Sequence, residues 1–397
     1  MKLKKLKLVN FRNYTSFEQD FTHLKTIIIG QNAQGKSNIL EAINILATTE
    51  SERAERDSDL VYWNNDHALI FADIESKDYE PQIALQINST GRRKLKINGV
   101  SKKAPQADLL GNFFAVMFSC DDLYLIKGSP SGRRRWIDSV LFQLNPRYHK
   151  LLQDYQKSVT QKNALLKKAQ ETRMNKKDLI EQIDIWNEQM INSGIEVTNI
   201  RIELIRDIIL LAADFLINIS KQSENLSLVY KSTVIAESKN QDSRSSSQDS
   251  AARIQDFLTR DLFKAALAKS FDQELARGQS IIGPHRDDLL FLINDRDAKS
   301  FASQGQQRSI VLSIKLAELK VFEKQKGEIP VLLLDDVFAE LDESRQDYLL
   351  HNLPENIQIF LTTTHLSNIQ KEFLKGAQVL TIEKGKIIQK EEAALIN

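Results

Sequence analysis

The chain has almost no cysteine. Cys120 stands alone among 397 residues, which excludes a disulfide framework and any zinc site built on paired cysteines, and fits a reducing compartment. Net charge is nearly absent too: 54 Lys and Arg against 53 Asp and Glu leave +1. No overall field draws the chain to nucleic acid, so any such contact rests on local patches. The opening "MKLKKLKLVNF" lacks the apolar core of a signal sequence. No run of about 18 apolar residues is present, so no membrane span is expected. The most apolar long stretch, 200–219, is broken by Arg201, Glu203, Arg206, Asp207 and Asp214, the texture of an amphipathic or buried helix. No helix-turn-helix or zinc-finger pattern appears, so sequence-specific DNA reading is not expected. What is there, 42% hydrophobic and 27% charged residues, is the composition of an ordinary soluble globular protein.

The first third alternates between strand-like and helical texture. "KLKKLKLVNF" and "KTIIIG" read as strands, "KSNILEAINILAT" as a helix, and "HALIFADIES" and "PQIALQIN" as further strands. "GRRKLKING" reads as a hairpin turning at Asn98-Gly99. From about Pro146 the pattern becomes helical, with Leu152, Tyr155, Val159 and Leu166 on one stripe. The charged "KKAQETRMNKK" suits a hairpin tip between two helical arms of about 20 residues, each reaching roughly 30 Å. Ser193-Gly194 marks a weak point in the second arm. The Ser-rich stretch 237–253 reads as a mobile loop, and a helix is expected from Ile254 to about Ala276. Strand texture returns at "SIIGPHRDDLLFLIN", then "IPVLLLDDVF" and "IQIFLTTTH". Apolar strands at both ends point to one discontinuous α/β domain, mixed sheets with flanking helices, interrupted by an all-helical arm. The expected divisions are 1–138, 139–276 and 277–397.

Gly30-Gln31-Asn32-Ala33-Gln34-Gly35-Lys36-Ser37 matches G-x-x-x-x-G-K-[ST] without deviation. The backbone N–H groups of such a loop wrap a β-phosphate, glycine permits the close approach, and the following helix, continuing through Asn38, offers its positive end. Lys36 is placed to bridge the β- and γ-phosphates and Ser37 to ligate Mg²⁺. ATP and Mg²⁺ are the expected cofactors. The apolar strand Val331–Leu334 ends in Asp335 and Asp336. Adjacent acids at the end of a buried strand are costly without a cation nearby. Asp335 suits the Mg²⁺ shell and Asp336 the attacking water; without the loop, the pair would read equally well as a cap and a surface acid.

A further motif separates the candidates. Ser303-Gln304-Gly305-Gln306 opens a long helix carrying Ile310, Leu312, Ile314, Leu316 and Leu319, giving a second anion-binding helix end. This resembles the signature motif of ABC-type ATPases, which completes the nucleotide site of a partner subunit. Ala339-Glu340-Leu341-Asp342 resembles the D-loop of that family and His365 in "LTTTHL" its switch histidine, with a helix-capping or surface role as the lesser alternative for the histidine.

"LKLVNFRNY", "KINGV", "DDLYLIKGSPSGRRRWID", "GPHRDD" and "LLDDVFAELDESRQDYL", in this order along essentially the whole chain, together resemble the RecF family of bacterial recombination and gap-repair proteins. Cys120 stands where that family usually has Pro, and Trp136 where Phe or Tyr is usual. The resemblance implies an ABC-type head that dimerises reversibly with ATP on single-strand/double-strand junctions of gapped DNA. It implies weak, DNA-stimulated hydrolysis and help to RecR and RecO in loading RecA, in replication restart and the SOS response. It also implies a cytoplasmic, nucleoid-associated homodimer and a nucleotide contact from Arg12. Arg133, Arg134 and Arg135 read equally as phosphate contacts or internal ion pairs, and His285, Arg286, Asp287 and Asp288 equally as a ligand site or an ion-pair network. Lys2, Lys4, Lys5, Lys7, Arg92, Arg93, Lys94, Lys96, Lys102 and Lys103 are candidate DNA contacts, although a single surface lysine is usually only solvated. The rivals are a transporter-type ATP-binding subunit, an SMC-like structural head, and a metabolic P-loop kinase. The long insertion between Ser37 and Ser303 argues against the first. The short arm argues against the second, and the Ser303–Gln306 motif has no use in the third.

Overall fold

The computed structural model describes residues 1–172, 175–238 and 258–392. Its first eight strands are β1 (Lys2–Phe11), β2 (Tyr14–Asp20), β3 (Lys25–Ile29), β4 (His67–Glu75), β5 (Gln82–Asn88), β6 (Arg93–Ile97), β7 (Val100–Ser101) and β8 (Ala115–Ser119). Three more, β9 (Leu226–Lys231), β10 (Asp288–Ile293) and β11 (Arg296–Asp297), form a separate small sheet. The last four are β12 (Val331–Asp335), β13 (Ile359–Thr363), β14 (Ala377–Glu383) and β15 (Lys386–Glu392). Two compact units result: residues 1–122 with 315–397, and residues 123–314.

The first unit is two sheets on one helix. One sheet is antiparallel, in the order β2-β1-β4-β5-β6-β7; the other runs β15-β14-β3-β13-β12-β8. In the second sheet β14, β3, β13, β12 and β8 are mutually parallel and only β15 is antiparallel. The parallel strands are the apolar runs of the sequence, buried along their length in β12 and β13, as strands covered on both faces must be. Strands from both ends of the chain thus share one sheet. The antiparallel sheet alternates instead, with Leu3, Leu6 and Leu8 of β1 and Ala68, Ile70 and Ala72 of β4 inward. Asn98 and Gly99, both at positive φ, form the expected turn between β6 and β7. The helix Lys36–Thr48 lies in the core shared by the two sheets, so Ile39, Leu40, Ile43 and Leu46 are buried and so are the polar Glu41 and Asn44. That setting explains a helix buried almost all round.

The second unit is mainly helical. Pro146–Thr172 and Lys176–Ile219, helices of 27 and 44 residues, pack against one another, longer than the arms expected from the pattern. Leu152, Tyr155, Val159 and Leu166 are all buried, as the stripe requires. Ser193-Gly194 does not interrupt the second helix. A Cβ at Gly194 would lie 2.7 Å from Phe263 Cε1 and 3.0 Å from Tyr155 Cε2, so the glycine is where two rings cross the helix. The insertion also includes β9, paired antiparallel with β10. Of "SIIGPHRDDLLFLIN" only Asp288–Ile293 is strand. The helix expected from Ile254 is described from Arg260 to Arg277, capped by Thr259. The Ser-rich stretch from residue 239 onward lies outside the described residues.

Candidate nucleotide site

The phosphate loop leaves the C-terminal end of β3 and enters the helix Lys36–Thr48. Its two glycines are fixed by different constraints. Gly30 lies against the backbone of β14, where a Cβ would sit 2.4 Å from the Ile382 carbonyl oxygen. Gly35 takes φ +106°, a left-handed conformation that only glycine adopts cheaply. The loop is held from outside by two turns. Asn13 Nδ2 donates to the Gln34 carbonyl (3.1 Å) and Tyr14 OH to that of Gly35 (3.0 Å). From the β14–β15 turn, Gly385 N–H donates to the Gln34 carbonyl (3.1 Å) and Lys384 N–H to Gln34 Oε1 (2.6 Å). Asn38 Nδ2 completes the belt by donating to Asn13 Oδ1 (2.8 Å).

Inside this frame the predicted residues converge. Lys36, only 4% exposed, donates through Nζ to the carbonyls of Gly30 (2.9 Å) and Gln31 (3.2 Å). Ser37 Oγ donates to Asp335 Oδ1 at 2.8 Å, and Thr362 Oγ1, from neighbouring β13, donates to the same oxygen at 2.7 Å. Strand order explains the meeting: β13 lies between β3 and β12, and all three deliver their C-terminal ends to one edge, where open parallel sheets bind ligands. Asp336 follows at φ 54° and its N–H donates to Thr362 Oγ1 (3.0 Å). Burial raises its carboxyl above the ordinary range, with Lys36 opposing and Asp335 adding to the shift. Ser37 and Asp335, one hydroxyl and one carboxylate, suit Mg²⁺, which takes few protein ligands and keeps phosphate and water for the rest. The loop N–H groups and the Lys36 ammonium suit the phosphates of ATP. Cys120 lies behind the pair, Sγ 3.8 Å from the carbonyls of Asp335 and Asp336. Burial chiefly, and then Glu340, push its thiol up to about 12, so it stays protonated and unreactive.

Other predicted residues are engaged elsewhere. Arg12 clamps Glu41 of the phosphate-loop helix through Nε (2.8 Å) and Nη2 (2.5 Å), and its Nη1 donates to the Asp59 carbonyl. Asp342 caps the helix Glu343–Asn352. His365 is exposed, with its backbone bonded to Thr363 Oγ1. Lys2 and Lys4 pair with Glu75, and Lys5 and Lys7 with Glu18. Arg93 forks onto Asp57 (2.7 and 2.6 Å), while Arg92 and Lys94 are exposed.

In the second unit, Ser303 and Gln306 form a reciprocal capping box. Ser303 N–H donates to Gln306 Oε1 (2.8 Å) and Gln306 N–H to Ser303 Oγ (3.2 Å), leaving Ser303 and Gln304 exposed beside the half-buried Gly305. Arg133 forks onto Asp288 (2.7 and 3.0 Å) and is buried; Arg134 donates to the Asp287 carbonyl (2.7 Å); Arg135 is exposed. Asp287 accepts from Tyr230 and Thr233, Arg286 donates to Ser280 and Gln279, and His285 meets Tyr155. "GPHRDD" is therefore an internal polar network.

Comparison with known proteins adds the family. A family model described as RecF/RecN/SMC N terminal domain matches residues 2–387. A "DNA replication and repair protein RecF" from Rippkaea orientalis is 41% identical over 98% of this chain and 99% of its own length. The protein of the same name from Picosynechococcus sp. is 41% identical over 97% and 96%. The chain belongs to the RecF family. Among solved structures, a recombination mediator RecF–ATP complex of the RecFOR pathway superposes with TM-score 0.85 at 32% identity, covering 98% of this chain and 97% of that one. An SMC head from Pyrococcus furiosus superposes at TM-score 0.50 and 18% identity, a likeness of fold alone. The fold is thus that of an ABC-type ATPase head with a helical arm. Among the described residues no helix is long and apolar enough to cross a membrane.

Asn13, Tyr14, Thr362, Lys384 and Gly385 were not foreseen as site residues. They reach the loop by strand pairing between distant segments, for which the local pattern carries no signal. Asn13 and Tyr14 sit inside a stretch, "FRNY", already singled out for its neighbour Arg12, and Thr362 inside "LTTTHL", singled out for His365.

Proposed function

We propose that this RecF-family chain is an ATP-dependent DNA-binding protein of recombinational gap repair, in which ATP with Mg²⁺ joins two copies on DNA and slow hydrolysis releases them. The observation that carries this is the split of phosphate-binding groups. Lys36, Ser37 and Asp335 lie together in one unit. The exposed Ser303 hydroxyl and neighbouring amides open a helix in the other. In this reading the second set meets the γ-phosphate held by another copy. Solved relatives named as RecF with ATP in the RecFOR pathway support the nucleotide and the process.

When bound, Mg²⁺–ATP supplies the electrophilic γ-phosphorus. This chain's groups do the rest. The loop amides and Lys36 hold the phosphates, and Ser37 with Asp335 offers the Mg²⁺ ligands. Asp336 orients water, a role suited to a carboxyl shifted toward neutrality, and Asp342 and His365 complete the partner-facing edge. The preferred DNA is a single-strand/double-strand junction, with the exposed Arg92, Lys94 and Arg135 as phosphate contacts. Hydrolysis is weak and DNA-stimulated, and RecR, RecO and RecA are the functional partners, in the bacterial cytoplasm at the nucleoid.

Light scattering with and without ATP and gapped DNA tests this. Lys36→Arg and Ser303→Arg both stay monomeric, but the Ser303 variant still binds ATP. Normal ATP-dependent dimers of Ser303→Arg would refute the sandwich.

A further inference from the structure

Two large aromatic side chains in the second unit stand in solvent, one of them two residues before Ser303. Tyr124 opens the short helix Tyr124–Lys127 and Phe301 closes the short helix Ala298–Phe301; each is 66% exposed. The two helices that carry them pack against each other. Exposed rings on loose backbone would mean little, but this backbone is fixed. The buried Gln307 donates through Nε2 to the carbonyls of Ala302 (3.0 Å) and Ala298 (3.5 Å), holding both ends of the Phe301 helix. Asp297 caps that helix, accepting from Lys299 N–H and Ser300 Oγ at 3.0 Å each. On the other side Gly128 N–H closes onto the Tyr124 carbonyl at 2.7 Å, so tightly that a Cβ on Gly128 would lie 2.3 Å from that oxygen. Lys299 Nζ reaches the Gly128 carbonyl (3.5 Å) and ties the two helices together.

Lys127 and Lys299 are exposed on the same two helices. Flat apolar surface beside cations and hydroxyls is complementary to a nucleotide, the ring taking the base and the charges the phosphates. We propose that Tyr124 and Phe301 form a stacking platform for the purine ring of ATP held on the phosphate loop of a second copy. This rests on the sandwich reading above. Phe301 lies two residues before Ser303. A nucleotide whose γ-phosphate meets Ser303 would extend its base over adjoining surface of the same copy. The platform would make dimer formation sensitive to the base, which contacts to phosphate alone cannot do.

The test compares nucleotide-driven dimerisation, by light scattering, of the full chain and of Tyr124→Ala, Phe301→Ala, Phe301→Trp and Ser303→Arg, with ATP and CTP. The wild type is expected to dimerise at lower ATP than CTP. The alanine variants are expected to bind ATP as monomers with unchanged affinity, to need about tenfold more ATP to dimerise, and to lose the preference over CTP. Phe301→Trp is expected to keep both, with its indole emission quenched on ATP addition. If Ser303→Arg stays monomeric while the alanine variants dimerise with wild-type base preference, the platform is wrong and the sandwich stands. The platform is equally wrong if the wild type shows no base preference, or if the alanine variants dimerise normally and lose only DNA retention. Normal dimers of Ser303→Arg would instead remove the reading beneath it.

Discussion

Arg12 carries a positive φ of 54° and spends its guanidinium on Glu41, which is 3% exposed and also accepts from Ser51 Oγ (2.5 Å). A carboxylate buried that deeply is stable only while its partner is present. Arg12→Ala should therefore lower the unfolding free energy by about 3 kcal/mol, read from the urea midpoint. Removing Glu41 as well should return much of that loss, since the two changes share one interaction. The double variant also decides whether Arg12 touches nucleotide: restored stability with ATP affinity still lost would establish the contact, and restored affinity would make Arg12 a brace. A different residue is expected to contribute to acid sensitivity. His285 is held neutral by burial, its pKa lowered from 6.5 to about 4, with Tyr155 OH 2.6 Å from Nδ1. Between these values the unfolded chain binds the extra proton and the native chain does not. Stability is complete above about pH 6.5 and falls as pH drops toward 4, by about 3 kcal/mol from this group. Urea unfolding from pH 4 to 7 should show the slope, and His285→Gln should flatten it. An unchanged slope would assign acid sensitivity elsewhere.

Helices and strands explain why some of this was legible and some not. The stripe Leu152, Tyr155, Val159 and Leu166 depends only on local spacing, and so do the Asn98-Gly99 turn and the phosphate loop. Gly194 does not: an isolated glycine in a helical pattern looks the same whether it loosens the helix or admits a neighbour. The neighbour, Phe263, comes from a helix 69 positions onward by the numbering. The β14–β15 turn is further away, with Lys384 and Gln34 separated by 350 positions, so the outer brace of the phosphate loop left no local trace. The arginines were ambiguous for the same reason: whether Arg133 faces phosphate or acid depends on Asp288, 155 positions away. Gly194→Ala tests the packing account. In an open helix the change would stabilise by about 1 kcal/mol. With ring atoms at 2.7 and 3.0 Å from the added Cβ, it should instead destabilise by about 1–3 kcal/mol. Phe263→Leu in the same chain should relieve part of the loss. Thermal unfolding of the wild type and the two variants decides, and a stabilised single variant would return Gly194 to the role of a simple flexible point.

At the scale of the molecule, a net charge of +1 leaves no general attraction to DNA, so a copy that binds weakly alone gains most by being joined to another. In the proposed function ATP acts as a timer: binding would assemble the pair and hydrolysis would end it. Asp336→Asn separates these steps. Asparagine tolerates the positive φ that Asp336 adopts, and the Thr362 contact uses the backbone N–H, so loop and fold should survive. Without the carboxylate, orientation of water should fail and turnover should fall by about 100-fold or more. The variant should therefore form ATP-dependent dimers at wild-type ATP concentrations and remain on gapped DNA far longer after dilution, with the salt dependence of binding unchanged because no phosphate contact is altered. Phosphate release gives the turnover, and filter retention over time gives the lifetime. Loss of turnover with wild-type dissociation would separate hydrolysis from release and remove the timer. Wild-type turnover would remove Asp336 from the chemistry.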